Sequence, residues 1–212
     1  MIISPAMLKT FEECPQKFVY IYSDKINLPQ NKYIYAKGKN IHAMANYYLK
    51  GYDISKFENS LTNEEQNIWN YLKNIKYFKY EVVSSEYQLS CKLENNWVGG
   101  RLDALVKNND DYYILDYKTG AIPQNPEYDY QTMVYLLCAD KIIKKYDSLT
   151  FIYIDLKNNK EKSIKFSENL KLIYKEKLKK ILNEINTIQI LPKKVLKNNK
   201  CNCDYYCICK KN

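Results

Sequence analysis

Asp103, Asp116 and Lys118 are the residues of this 212-residue chain whose types and spacing best suit chemistry. Asp116 and Lys118 stand two apart in 112–118 (YYILDYK), a run of β-branched and aromatic residues that reads as a strand. Strand side chains alternate, so both point to one face. Asp103 lies in a second strand-like run, 97–107 (WVGGRLDALVK). The polar stretch Asn108-Asn109-Asp110-Asp111 between the runs suits a hairpin loop. Such a hairpin can bring Asp103 beside Asp116. Two carboxylates and an ammonium would then share a small space at the edge of a sheet. Paired carboxylates bind a hard divalent cation such as magnesium, and a lysine beside it can orient or activate water. That is the equipment for metal-assisted hydrolysis of a phosphodiester.

The chain carries its own control for this spacing. Asp155-Leu156-Lys157 repeats the D-x-K pattern but has no Gly-Gly-Arg-Leu-Asp run before it, and it reads as a surface pair. Other polar residues join the first copy. His42, the only histidine, sits in a helical pattern over 32–50, where it either plays a structural part, adds a metal ligand or touches a phosphate. Gly38, four residues earlier, permits close backbone approach. Glu86 is the acidic residue inside the strand-like run 81–93, facing either the site or water. Cys91 in the same run reads as packing. Gln131 and Tyr135 are four apart in a helical run over 127–143 and can reach one ligand from one face, or form a solvated flank.

The elements that position these residues follow from patterning. Ser4-Pro5 reads as an N-cap with proline at the first helical position, and Met7, Leu8, Phe11, Cys14 and Phe18 fall on one side. Pro15 should divide that segment into two short helices. Thr62-Asn63-Glu64-Glu65 is a capping box opening a helix to about Lys76. Runs 148–156 and 161–166 read as further strands. Ser167 opens a long amphipathic helix with Leu170, Tyr174, Leu178, Ile181 and Ile185 on its apolar side. Lys171, Lys175 and Lys179 lie on its polar side, which is either solvated surface or a groove tracking a phosphate backbone.

Size and charge fit this picture. The length suits one domain: a helical part over 1–80, a sheet core over 81–166 with helix 127–143, and a C-terminal helix and cysteine tail over 167–212. The net charge is +9, and residues 157–200, with 13 Lys against 4 Glu, hold all of that excess. A basic segment suits nucleic acid, although a chain rich in Lys, Asn, Ile and Tyr with Arg101 as its only arginine also carries the imprint of AT-rich coding. No apolar run is long enough to span a membrane, and no signal peptide precedes Ser4-Pro5, so a cytoplasmic protein without a membrane partner is expected. Four of the seven cysteines fall within 201–209, a density that packing of a short tail does not require. Thiolates so placed point to zinc or an iron–sulfur cluster.

Taken in order, these motifs resemble the PD-(D/E)XK nuclease superfamily. More narrowly, they resemble the branch holding RecB-type and AddB-type nuclease domains and the CRISPR-associated iron–sulfur exonuclease. The resemblance rests on Ser4, Leu8, Phe11, Cys14-Pro15 and Phe18; on Gly38 and His42; on Gly100-Arg101-Leu102-Asp103; on Asp116-Tyr117-Lys118; and on Gln131 with Tyr135. It implies an α/β fold of restriction-endonuclease type, with a mixed central sheet flanked by helices and a clamp of iron and sulfur joining the two termini. It also implies Mg²⁺ or Mn²⁺ held by His42, Asp103, Asp116 and the backbone carbonyl of Tyr117. Lys118 would polarise the water, while Gln131 and Tyr135 steady the site and the DNA.

The implied [4Fe–4S] cluster would use Cys14, Cys201, Cys203 and Cys209, with Cys207 as alternate. Cys201 stands one position closer to Cys203 than the family's C-x-x-C spacing, and Cys207 is extra. Zinc on the tail alone is the alternative. The implied activity is metal-dependent exonuclease action on single-stranded DNA or DNA ends. It would serve CRISPR spacer acquisition beside an integrase, or recombination and repair beside a helicase. The alternative is a nuclease-derived module that binds DNA without cutting.

Overall fold

A computed structural model describes residues 1–26, 28, 36–190 and 203–209. Strand β1 (Ile2–Ile3) leads into helix α1 (Pro5–Glu13). The Ser4 hydroxyl accepts from the Met7 amide and caps α1, with Pro5 at its first position. Cys14 is extended and ends α1; its Sγ accepts from the Lys17 amide and caps α2 (Pro15–Phe18). The expected break at Pro15 is therefore present, because Pro15 can open a helix but cannot continue one. One π-helical turn, Val19–Ser23, continues from α2.

Helices α3 (Ala36–Leu49), α4 (Ser55–Glu58) and α5 (Asn63–Asn74) follow. The expected capping box is formed: Thr62 Oγ1 accepts from the Glu65 amide, and Glu65 reaches back to the Thr62 amide. Thr62→Ala should cost about 1 kcal/mol and lower the thermal midpoint by about 2–4 °C. An unchanged midpoint in calorimetry would show that the box adds nothing to the fold.

The sheet is built from β2 (Glu81–Leu93), β3 (Asn96–Asn108), β4 (Asp111–Lys118), β5 (Ser148–Asp155) and β6 (Lys160–Lys165). β2 and β4 flank β3 antiparallel, β5 runs parallel to β4, and β6 is antiparallel to β5. β1 pairs parallel with the start of β3, Ile2 against Trp97 and Ile3 against Val98. The parallel β4–β5 step needs a crossover, and helix α6 (Tyr130–Ile142) supplies it. Helix α7 (Glu168–Ile190) and the short α8 (Tyr206–Cys209) complete the described chain.

The sheet separates two cores. α1, α6 and α7 cover one face, around Leu8, Phe18, Met133, Leu137, Tyr174 and Leu178. α3 and α5 cover the other, around Ile41, Ala45, Trp69 and Leu72. This is an α/β fold with a mixed central sheet between helices. Among the described residues no helix is long and apolar enough to cross a membrane.

The tail turns back to the N-terminal helices. Tyr205 is buried, its ring stacked on Tyr20 at 5.8 Å between centroids, and its hydroxyl donates to the Ile26 carbonyl at 2.9 Å. Cys203, Cys207 and Cys209 lie in this docked segment; Cys201 lies outside the described residues.

Candidate active site

The site sits where β3 and β4 part. The β3–β4 ladder runs from Asn108–Asp111 to Ala104–Leu115. One step further the same register sets Asp103 opposite Asp116, and here a side chain replaces the backbone ladder: the Tyr117 amide donates to Asp103 Oδ2 at 2.7 Å. On the other side of β3, Ser85 faces Ala104 and Tyr87 faces Leu102, so Glu86 stands opposite Asp103. Glu86, Asp103 and Asp116 thus form a row of carboxylates across three adjacent strands. Glu86 has φ +50°, a left-handed backbone that non-glycine residues seldom adopt and that collects at functional sites.

Because the strands fork here, helices from both faces reach the row. From α3, His42 Nδ1 lies 3.0 Å from Asp103 Oδ1, with its ring edge-on to Tyr117. From α6, Gln131 bridges the D-x-K pair: Nε2 donates to Asp116 Oδ1 at 2.5 Å, and Oε1 accepts from Lys118 Nζ at 2.8 Å. Asp129 caps α6 and takes the Gln131 amide at 2.9 Å, which fixes where that side chain begins. Asp116 and Lys118 share a face, with Lys118 Nζ 2.8 Å from Asp116 Oδ2.

Tyr135 does not reach the carboxylates. Its hydroxyl donates to the Arg101 carbonyl at 2.9 Å and so braces β3. A Cβ at Gly100 would lie 2.7 Å from that hydroxyl, and one at Gly99 would lie 2.2 Å from the Leu89 carbonyl. The Gly-Gly pair is thus where the tyrosine and β2 close on the strand that carries Asp103.

Electrostatics follow from burial. Burial raises the Asp116 pKa to about 6, and the neighbouring Asp103 charge adds to it against the opposing pull of Lys118. Burial works against a charged His42, but the Asp103 hydrogen bond and charge, with Asp116 and Glu86, outweigh it, and its pKa is raised. The Tyr117 hydroxyl is fully enclosed and pushed well up by burial.

His42, Glu86 and Asp103 each offer a ligand atom, all within 4.8 Å of one another. Asp116 Oδ2 is buried and lies 2.8 Å from the Lys118 ammonium. Hard carboxylate oxygens with one imidazole fit a divalent cation such as Mg²⁺ or Mn²⁺.

Glu86, which the sequence leaves open between site and solvent, faces the site. There it pairs with Arg101, Nε to Oε2 at 2.6 Å. The second D-x-K is corrected by its surroundings. Asp155 is buried, not at the surface; it accepts from the Lys157 and Asn158 amides and the Asn158 side chain, so it shapes the β5–β6 turn. The helix α7 lysines are not equivalent. Lys171 is held by Asp140 at 3.1 Å and Glu168 at 3.4 Å, Lys179 by Glu94 at 3.6 Å, and Lys175 borders a cleft with Lys141 and Lys179.

Comparison with known proteins bears on this arrangement. No curated protein matches the chain. Among solved structures, the "Putative exonuclease" of Eubacterium rectale aligns with TM-score 0.58 at 13% identity, over 100% of this chain and 88% of that one, and shares its fold. SSO0001 aligns at 0.43 with 14% identity, over 97% of this chain and 80% of that one, a likeness too slight to build on. The family model of the PD-(D/E)XK nuclease superfamily matches residues 70–210, which includes β2, the fork, the D-x-K strand and α6. The chain belongs to the PD-(D/E)XK nuclease superfamily.

Proposed function

We propose that this nuclease is a Mg²⁺- or Mn²⁺-dependent DNA exonuclease acting on single strands or ends, with Asp103, Asp116, Lys118 and Gln131 in the reacting site and Tyr135 bracing it. The observation that carries the reading is the row Glu86–Asp103–Asp116 at a strand fork, with His42 on one side and Lys118 on the other. His42, Glu86, Asp103 and Asp116 would hold the cation, with the Tyr117 carbonyl as the further ligand that family resemblance implies. When bound, a cation of this kind lowers the pKa of water and offsets charge on the phosphoryl oxygens. His42 would give up its proton to ligate. Lys118, held by Gln131, would orient the attacking water and face the charge that develops on phosphate. Arg101 would keep the Glu86 carboxylate aimed at the site.

Action on ends is suggested by the name of the Eubacterium rectale neighbour. The test is an end-labelled linear single strand against a closed circle of the same sequence, with Mn²⁺ and with chelator. Loss of the linear strand alone is expected; cleavage of the circle would make the enzyme an endonuclease. Binding of both without cleavage would favour the non-cutting module. The setting is CRISPR spacer acquisition with an integrase, or recombination and repair with a helicase.

Lys175 and Lys179 are the better candidates on α7 for binding phosphate, because Lys171 is held by both Asp140 and Glu168, whereas Lys179 has a single, longer and exposed pair with Glu94 at 3.6 Å. Lys175→Gln with Lys179→Gln should flatten the log–log salt dependence of DNA binding by about one unit for each lysine–phosphate pair removed. Lys171→Gln should leave the slope unchanged. Equal slopes in all variants would return these lysines to the solvated surface.

The cysteines are read as ligands of one [4Fe–4S] cluster, Cys14 with Cys201, Cys203 and Cys209. Support comes from the tail, which packs on Tyr20 just beyond the helix that Cys14 caps. Protein purified without oxygen should be brown, with roughly four irons per chain. Cys14→Ser should bleach it and lower its thermal midpoint, since a bound cluster stabilises only the folded state. A colourless, zinc-loaded protein whose metal content ignores Cys14→Ser would assign the tail to zinc.

A further inference from the structure

Two buried cysteines take no part in the nuclease site or the proposed cluster. We propose that Cys91 and Cys138 form a dithiol oxidation site, which closes to a disulfide when the protein meets a hydroperoxide. Cys91 lies on β2, opposite Val98 of β3, and Cys138 lies on α6. Their sulfurs are 2.9 Å apart. Non-bonded carbon atoms already keep about 3.5–4.0 Å, and sulfur is larger. A disulfide needs about 2.05 Å. The pair therefore stands between van der Waals separation and a bond, and closure requires a movement of under about 1 Å.

The chemistry is asymmetric. Cys138 donates its S–H to Cys91, and its sulfur also lies 3.5 Å from the Val98 carbonyl. The hydrogen bond from Cys138 holds the Cys91 pKa below the ordinary thiol value despite burial, with the Lys141 charge assisting. Cys91 also keeps the slight exposure, 4% against 0%. Cys91 is therefore the attacking sulfur. Its thiolate attacks the terminal hydroperoxide oxygen; the S–O bond of a sulfenic acid forms as the O–O bond breaks, and the leaving alkoxide takes up the proton that Cys91 gave up, departing as the alcohol, or as water from hydrogen peroxide. The Cys138 sulfur then attacks the sulfenic sulfur. The S–O bond breaks, the S–S bond forms, and the hydroxyl leaves as water with the Cys138 proton. The two thiols lose two electrons and the peroxide gains them.

Closure ties β2 to α6 and encloses β3 and β4 in a covalent loop from Cys91 to Cys138. That loop contains Asp103, Asp116, Lys118 and Gln131. A loop of this length should raise the thermal midpoint by about 10 °C. The bridge is independent of nuclease action, because its readouts are mass and stability.

The full chain is exposed to hydrogen peroxide, denatured in iodoacetamide without reductant, digested and mapped. A peptide pair linked through Cys91 and Cys138 is expected, together with a raised midpoint that dithiothreitol reverses. Cys138→Ala and, separately, Cys91→Ala should fold and lose the peroxide-induced rise, which separates the bridge from any oxidation of the tail. The proposal is overturned if both thiols are alkylated after peroxide while exposed Cys207 is oxidised. It is equally overturned if the rise persists in Cys138→Ala, or if Cys91 stops at sulfinic or sulfonic acid.

Discussion

Lys118→Ala is expected to lower cleavage by roughly two orders of magnitude or more while leaving Mn²⁺ binding within about threefold of wild type. The split follows from geometry. Lys118 is anchored by Gln131 and lies beside Asp116, but it brings an ammonium and no ligand atom. Asp103→Ala should lose both binding and cleavage, because Asp103 holds His42 through one oxygen and the Tyr117 amide through the other. Its removal also frees the strand fork. Gln131→Ala should fall between, keeping the cation and weakening the rate, since it positions Lys118 without replacing it. Titration calorimetry with Mn²⁺, set beside single-turnover cleavage, reads both quantities. Equal loss of binding in Lys118→Ala and Asp103→Ala would show that the lysine acts through the fold and not on the substrate.

The second large effect is on stability, and its sign opposes that on activity. Asp116 has its pKa raised to about 6 chiefly by burial. The folded protein thus holds this proton more tightly than the unfolded chain, where aspartate titrates near 3.9. The stabilisation from the protonated form is complete below about pH 4 and is lost as pH rises to about 6. Above that, the metal-free protein carries a buried carboxylate at a cost on the order of 3 kcal/mol. Asp116→Asn removes the charge and keeps an acceptor for Gln131, at the expense of the Lys118 ion pair. The metal-free variant should be more stable than wild type at pH 7.5 and nearly equal to it at pH 3.5, while losing cleavage. Mn²⁺ should stabilise wild type and leave the variant unmoved. Denaturant melts in chelator at the two pH values give the comparison; a difference that does not change with pH would contradict the burial account.

Much of the frame was legible because its signals are local. The strand over 81–93 coincides with β2, and the expected hairpin is β3–β4, since alternation and a polar turn specify both. The cap at Ser4, the break at Pro15 and the box at Thr62 were readable for the same reason. The proximity of Asp116 and Lys118 followed from strand alternation.

What stayed hidden depends on tertiary register. Strand β1 is two residues long and exists only because β3 offers an edge. Glu86 turns to the site through a left-handed kink, and a glutamate gives no sign of positive φ in a sequence. The Arg101–Glu86 pair spans two strands. Asp155 copies the motif spacing, yet its oxygens are taken by the turn that follows. Tyr135, at a spacing that suggests a ligand, braces a carbonyl because Gly100 makes room for it. Nothing local joins Cys91 to Cys138, or Tyr205 to Tyr20.

The central claim is that this carboxylate row cuts DNA through a divalent cation. Its most direct test is chelated, dialysed wild-type protein with a labelled linear single strand, to which Mn²⁺ is returned in steps. Cleavage should be absent without metal, appear as Mn²⁺ is added, and stay absent in Asp116→Ala at every Mn²⁺ concentration. Cleavage that persists in chelator, or survives in Asp116→Ala at the wild-type rate, would contradict it.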